Sequence, residues 1–329
     1  MATTDISGRE GSRTASAAGL LAVLIVIWGV NHTWVKLALV HSGSFTFNGL
    51  RFAAGVALLG ALLFALRGRR GLVPVRGERW PLAFIGFLQN GVMSACSAYA
   101  LEWIEASRTV LVAYTMPIWA MLLSFLLYRE RASTAMLLGV VLGLSGLALL
   151  SAPWAMDWTG AQAVAGTLVV VGGTMAWALG AVLYRGRRWE SDIWPQVFWQ
   201  MLLPALALSM LALFERTPFR PTLGYAGIVL YIALVPTAFG TRCWTRALDR
   251  IPAATAGQAL TLSPLVGVLF SAAMLGEPLT LTLVVSGLLI MAGALLAYAK
   301  PKGLSGQTSA ISGTPTTTTM QDSGRPSFQ

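Results

Sequence analysis

Two polar side chains lie deep inside stretches of the sequence that are otherwise apolar. Arg51 is roughly two helical turns inside one such stretch, and Asn31 lies near the middle of the preceding one. A charge or an amide is costly in an apolar environment unless it has a partner or faces water. Arg51 could attract an anionic group such as a carboxylate, or it could bond helix-end carbonyls and hold two helices together. Asn31 could bond either a ligand or a neighbouring helix.

Further polar and aromatic side chains could line a pocket together with these two. A pocket for a small molecule has mostly apolar walls and a few convergent polar groups. The additional candidates are Gln89, Asn90, Tyr114, Trp177 and Gln258. The aromatic candidates could instead serve only in packing. The sequence contains no phosphate-binding glycine loop, nucleophile motif or cluster of metal ligands, so we predict no catalytic residue, no metal site and no cofactor.

These residues belong to a chain whose composition is typical of a membrane protein. Of its 329 residues, 56% are hydrophobic and only 11% are charged, whereas about a quarter are charged in soluble domains. The net charge of +10 does not indicate nucleic-acid binding, because the basic residues form short clusters between apolar runs. Ten runs are long enough to cross a hydrocarbon core of about 30 Å. They lie near residues 18–38, 44–65, 81–101, 106–128, 133–151, 160–184, 194–214, 223–246, 253–275 and 280–299.

The distribution of Lys and Arg over the loops predicts how these ten helices are oriented. Positive residues are retained on the cytoplasmic side, and most of the 23 Lys and Arg residues fall on the side of the N-terminus. We therefore predict a multi-pass protein with both termini in the cytoplasm. The polar segment 1–17 is predicted to be a cytoplasmic tail. Segment 300–329 is rich in Ser, Thr, Gly and Pro and is predicted to be a disordered tail.

The sequence also contains an internal repeat. Two sets of residues have the same spacing: Pro117, Glu130 and Gly146 in one, and Pro264, Glu277 and Gly293 in the other. Each residue of the first set lies 147 positions before its counterpart in the second set, as Pro117 does before Pro264. The predicted halves are 18–151 and 160–299, and the second is inverted because each contains five helices. The predicted fold is therefore an all-α polytopic membrane protein with about ten transmembrane helices in two inverted five-helix repeats, a build common in secondary transporters.

The repeated prolines lie inside their predicted helices, where proline removes a backbone donor and bends the helix. We predict that Pro117 and Pro264 are hinges or gates, although a static bend would leave the same signature. Glu130 and Glu277, near helix ends, are predicted to have structural roles.

The two halves are not chemically equivalent. At an offset of 149 residues Trp28 pairs with Trp177, but Arg51 pairs with the neutral Gln200. Asymmetry of this kind is expected where one half has specialised in contacts to a ligand, and ordinary sequence drift would give the same picture.

Several of these motifs resemble those of a known family. The residues that carry the resemblance are Trp28-Gly29, Asn31, Lys36, Arg51-Phe52, and the Pro-to-Glu pairs at 117/130 and 264/277. Their order, spacing and duplication are similar to the ten-helix EamA-type branch of the drug/metabolite transporter superfamily, over residues 18–299. The resemblance implies a carrier in the bacterial inner membrane, commonly an exporter of amino acids or other small metabolites. It also implies a central cavity lined by both halves.

The sequence leaves the energy source of such a carrier open. His32 is the only side chain in the predicted helices that ordinarily titrates near neutral pH, so it is the candidate for proton coupling. All 13 Asp and Glu residues lie in termini, loops or helix ends, so no carboxylate relay is predicted. Facilitated diffusion and exchange are the alternatives.

We predict a secondary transporter, not an enzyme, that exports an amino acid or similar metabolite across the bacterial inner membrane by alternating access. Its predicted partners are a small-molecule substrate and the lipid bilayer, with no nucleic acid. The glycine-rich segments permit close helix packing and would equally suit a homodimer interface. The alternative is an integral-membrane enzyme acting on a lipid-linked substrate, although the loops offer mainly arginine rather than the Asp, His or Lys that such chemistry needs.

Overall fold

The computed structural model describes residues 3–104, 106–155, 158–275 and 281–298, and in these ranges the chain forms ten principal helices. They are α1 (Thr3–Leu39), α2 (Ser44–Arg67), α3 (79–100), α4 (106–128), α5 (Thr134–Ser151), α6 (Ala161–Arg185), α7 (Ile193–Ala212), α8 (Leu223–Leu248), α9 (253–275) and α10 (Leu281–Tyr298). All regular elements in the described ranges are helical. The predicted ten-helix, all-α fold is confirmed.

The helix bounds follow the apolar runs of the sequence, with one difference at the N-terminus. Within the described residues, eight helices are long and apolar enough to cross a membrane, and Leu281–Ala297 is a shorter apolar helix. α1 begins at Thr3, so the segment predicted as a tail is helical from there and continues into the first apolar run without a break. Segment 300–329 and Glu277 lie outside the described residues.

A π-helical segment occurs at matching positions in the two halves. α3 contains one at Phe87–Val92, and α8 contains one at Ala233–Phe239. Their last residues, 92 and 239, are separated by the same 147 residues as the repeated prolines. A π-helical turn widens the helix and is frequent at functional sites, so the internal repeat extends to a local backbone irregularity.

The helices α4 and α9 are each interrupted three residues before their repeated proline. α4 consists of Ala106–Ala113 and Met116–Tyr128, and α9 of Ala253–Leu260 and Leu262–Leu275. Pro117 and Pro264 have no N–H to donate to the carbonyl four residues earlier, and their rings clash with it. The chain therefore passes through a turn, in which the Thr115 N–H donates to the carbonyl oxygen of Val112 (3.0 Å). The hinge role of the two prolines stays a prediction.

Glycines bring α5 and α10 into close backbone contact. A Cβ added to Gly139 would lie 2.7 Å from the carbonyl oxygen of Gly293, and one added to Gly146 would lie 2.7 Å from that of Ser286. Small residues allow such an approach in membrane helices. These glycines therefore serve packing between the last helices of the two halves within one chain.

α2 and α7 pack side by side as an antiparallel pair, and a carboxylate binds the start of each. Glu215, in the loop after α7, accepts hydrogen bonds from the N–H groups of Phe45 (2.9 Å) and Thr46 (2.8 Å) in the first turn of α2. A helix leaves these groups without an internal partner. Glu78, the residue directly before α3, accepts hydrogen bonds from the N–H groups of Glu190 (2.7 Å) and the next residue (3.2 Å), just before α7. We call Glu78 and Glu215 the carboxylate clamps.

Removing either clamp is expected to destabilise the protein. Glu78→Ala and Glu215→Ala each leave two N–H groups without their acceptor, which we expect to cost about 1–3 kcal/mol. The measurement is the apparent melting temperature of the purified protein in detergent. Glu102→Ala removes an exposed carboxylate and is the matched control, which should melt like the wild type. Equal melting temperatures for all three variants would contradict the clamp assignment.

Candidate functional site

A cavity of about 260 Å³ opens among helices of both halves. It is lined by Trp28 and Asn31 of α1, Arg51 and Phe52 of α2, Gln89, Asn90 and Met93 of α3, Tyr114 of α4, Trp177 of α6, and Pro236, Thr237 and Thr241 of α8. Aromatic and aliphatic groups therefore make up much of the wall, with a few polar groups and one charge. This is the composition expected of a small-molecule site.

Most of the residues predicted to line a pocket lie together in this cavity. These are Asn31, Arg51, Gln89, Asn90, Tyr114 and Trp177. Gln258 lies elsewhere: it is fully buried, and its Nε2 donates to the carbonyl oxygen of Gly139 (3.0 Å). Gln258 therefore links α9 to α5 and does not face the cavity. The side chain of His32 lies outside the described part of the chain.

Among the described residues that line the cavity, Arg51 is the one with a charged side chain. Its Nη2 donates to Oγ of Ser94 in α3 (3.3 Å), and its guanidinium lies 4.7 Å from the ring centroid of Phe52 and 5.7 Å from that of Phe47. Within the described residues, Nε has no hydrogen-bond partner and no carboxylate lines the cavity. Arg51 thus links α2 to α3 and also presents a positive charge that no acidic group of the wall neutralises.

Three other polar atoms of the wall are buried without a partner among the described residues. They are Asn31 Oδ1, Gln89 Nε2 and Thr237 Oγ1. Leaving such a group unpaired costs about 1–3 kcal/mol, so each one needs an explanation. Gln89 and its neighbour Asn90 both lie in the π-helical segment of α3. Gly180 of α6 leaves room for Gln89, because a Cβ there would lie 2.6 Å from Gln89 Cγ.

Three tryptophans form a cluster beside the cavity. The ring centroids of Trp28, Trp177 and Trp244 lie 5.8–6.4 Å apart. The Trp28 Nε1–H donates to the carbonyl oxygen of Pro236 (3.0 Å), in the π-helical segment of α8. Gly240 permits this ring position, since a Cβ there would lie 2.7 Å from Trp28 Nε1. Tilted rings at these distances attract one another, so the cluster forms a fixed apolar wall.

The part of the wall that α8 contributes was not predicted from the sequence. It consists of Pro236, Thr237 and Thr241, which are the counterparts, 147 residues later, of Gln89, Asn90 and Ser94. The repeat spacing was therefore the signal that could have found these residues. Applied to the polar positions of α3, it identifies the matching face of α8.

Comparison with known proteins shows which family has this architecture. The EamA-like transporter family matches residues 15–152 and 164–299. The chain is 27% identical over 289 residues to a Bacillus subtilis protein named uncharacterized transporter YvbV. The aligned region covers 86% of this chain and 92% of the relative. The chain is 26% identical over 288 residues to a Salmonella typhimurium protein named probable amino-acid metabolite efflux pump, covering 84% of this chain and 92% of the relative.

A solved crystal structure shares the fold, with a TM-score of 0.72 and 22% identity, covering 86% of this chain and 96% of the other. The names of the matched family and of these two relatives are those of transporters, not of enzymes. This protein is accordingly a multi-pass membrane transporter, and the alternative of a membrane enzyme is not supported. The chain belongs to the EamA-like transporter family.

Proposed function

We propose that this transporter exports a small metabolite with a carboxylate, such as an amino acid, across the bacterial inner membrane by alternating access. Both termini would lie in the cytoplasm. The observation that carries the proposal is the charge of Arg51, which no acidic group among the described residues of the cavity wall offsets. A buried charge in a membrane protein normally requires a partner or a water-filled cavity, and an anionic substrate would supply that partner.

The carboxylate of the substrate would bind between α2 and α3. Arg51 offers an unpartnered Nε–H, and Gln89 offers an unpartnered Nε2 on the facing helix. Hydrogen bonds between a guanidinium and a carboxylate are about twice as strong as neutral ones. A carboxylate at this point would therefore satisfy two buried donors at once.

The rest of the cavity suits the remaining groups of an amino acid. Asn31 Oδ1 and Thr237 Oγ1 are unpartnered acceptors within the described residues, and an ammonium group has three donors and no acceptor. Trp28 and Trp177 provide aromatic surface for an apolar side chain or for contact with the cation. The volume of about 260 Å³ is slightly below the range of about 300–1,000 Å³ typical of ligand pockets, which favours a small metabolite.

The direction and the mechanism rest on two further observations. One relative is named a probable amino-acid metabolite efflux pump, which supports export. The matching π-helical segments and interrupted helices of the two halves support alternating access, because inverted repeats carry this mechanism in other transporters.

Coupling to protons would involve His32, one residue beyond Asn31 in α1. No Asp or Glu lines the cavity in the described part of the chain, so a carboxylate relay has no residue to use there. Exchange and facilitated diffusion need no titratable group and are the alternatives to a histidine-coupled cycle.

The decisive experiment measures flux in liposomes that contain the purified protein. Labelled amino acids are compared with the same compounds converted to α-carboxamides, with and without a pH gradient. We expect the free carboxylates to be transported at least on the order of tenfold faster at low concentration, because the amide lacks the charge that Arg51 would bind. Empty liposomes are the control.

Two outcomes would count against the proposal. Well-folded protein that transports no compound of the panel would contradict the amino-acid assignment, and equal flux of acids and amides would remove Arg51 from substrate recognition. If the rate of flux is the same with and without a pH gradient, both in the wild type and in His32→Ala, proton coupling through His32 is excluded.

A further inference from the structure

A second candidate site lies outside the cavity, where the loop after α2 leads into α3. A cleft of about 300 Å³ is lined by Arg76, Gly77, Arg79 and Trp80. Both arginines are exposed. Gly77 has a φ of 92°, a left-handed conformation that glycine adopts without strain. The turn at Gly77 therefore places two guanidinium groups on one cleft at the first turn of α3.

The charges of the two arginines are not neutralised by their acidic neighbour. Glu78 lies between them in the sequence, but it is only 4% exposed. As one of the carboxylate clamps, it accepts hydrogen bonds from the N–H groups just before α7. Within the described residues, neither Arg76 nor Arg79 forms an ion pair. Arg187 fixes the loop by donating to the carbonyl oxygen of Gly77 (3.1 Å) and adds a third positive charge nearby.

An exposed aromatic surface continues from the cleft along α3. Trp80 is 72% exposed, and Phe84, one turn further into the helix on the same face, is 50% exposed. The Trp80 ring meets the ring of Trp199 edge-on at 6.2 Å, and Trp199 is itself held by a hydrogen bond from its Nε1 to the carbonyl oxygen of Leu72 (2.8 Å). The aromatic surface is therefore positioned by α7 although it is not covered.

We propose that this cleft binds the headgroup of an anionic phospholipid. Paired arginines recognise phosphate oxygens, and basic pockets at the ends of membrane helices bind acidic headgroups. Tryptophan prefers the level of the headgroups. With the phosphate on Arg76 and Arg79, an acyl chain would extend along Trp80 and Phe84. The site is independent of the transported substrate.

The test measures binding of individual lipids to the purified full-length protein by native mass spectrometry. Phosphatidylglycerol is titrated against phosphatidylcholine, and inorganic phosphate is added as a competitor. We expect the double variant Arg76→Gln/Arg79→Gln to bind phosphatidylglycerol on the order of tenfold more weakly than the wild type, since it removes both charges that would attract the headgroup. Arg76→Lys/Arg79→Lys should retain most of the binding.

Two controls separate this site from general charge effects and from free anions. Arg216→Gln/Arg220→Gln removes two exposed arginines from the loop after α7 and should leave phosphatidylglycerol binding unchanged. Trp80→Ala should weaken the binding of phosphatidylglycerol but not that of inorganic phosphate. Equal binding in the wild type and the Arg76/Arg79 glutamine variant would overturn the proposal, as would equal losses in both glutamine variants. Displacement of the lipid by equimolar inorganic phosphate would show a free-anion site and overturn the lipid assignment.

Discussion

Arg51→Gln is expected to raise the concentration for half-maximal transport of a carboxylate substrate on the order of 10- to 100-fold, because a hydrogen bond to a charged group contributes about 1.5–3 kcal/mol. Gln is the residue at the equivalent position of the second half, Gln200, so the substitution makes the two halves alike at this position and removes the charge. Arg51→Lys keeps the charge and should have an intermediate effect. The measurement is concentration-dependent flux in liposomes.

The same variant separates a role in binding from a role in structure. Arg51 also bonds Ser94 of α3, so a purely structural arginine would lower the melting temperature and reduce the flux of acid and carboxamide alike. A binding arginine instead loses the preference for the acid. Lys36→Gln removes an exposed cation from α1 and is the matched control. An unchanged preference for the acid in Arg51→Gln would contradict the binding role.

Gly86→Ala is expected to destabilise the protein strongly, although it adds only one methyl group. A Cβ on Gly86 in α3 would overlap the carbonyl oxygen, carbonyl carbon and Cα of Gln200 in α7. These are backbone atoms, which cannot rotate away as a side chain can. We expect a loss of about 3 kcal/mol or more, seen as a large drop in apparent melting temperature. Gln89, one turn further along α3, would move with the helix, so transport should fall as well.

Gly172→Ala is the matched control for Gly86→Ala. Gly172 also lies within a long helix, α6, but a Cβ there would meet no atom within 4 Å. Alanine is the better helix former by about 0.5–1 kcal/mol, so this variant should be as stable as the wild type or slightly more stable. Similar melting temperatures for the two variants would show that α3 and α7 do not approach as closely as the structure has them.

The helices were predictable because a bilayer constrains the sequence so strongly. Backbone polar groups must be satisfied inside each helix, which requires long apolar runs, and α7 was accordingly predicted at 194–214 and found at Ile193–Ala212. The breaks in α4 and α9 follow from proline at positions 117 and 264. The π-helical segments could not be predicted from the sequence, because no single residue type marks such a turn. At the matching position, α8 has Pro236 where α3 has Gln89.

Which side of each helix faces the cavity was harder to predict than the helices themselves. A helix that is apolar all round has no stripe to indicate its orientation. Gln89 and Gln258 therefore carried the same signal in the sequence, yet one amide lines the cavity and the other bonds Gly139 in α5. The difference arises from packing between helices that are distant in sequence, which a local pattern does not contain.

In the proposed alternating-access cycle, the carboxylate clamps would also limit which helices can move. Glu215 joins the end of α7 to the start of α2, and Glu78 joins the start of α3 to the start of α7. Neither contact can separate without breaking two charge-assisted hydrogen bonds. Held in this way, α2, α3 and α7 would stay together, and movement would fall to helices that are already interrupted, such as α4 at Tyr114. Arg51 would belong to the helices that stay together, whereas Tyr114 lines the cavity from the interruption of α4. A bound carboxylate would thus keep its anchor throughout the cycle while the wall facing it is exchanged.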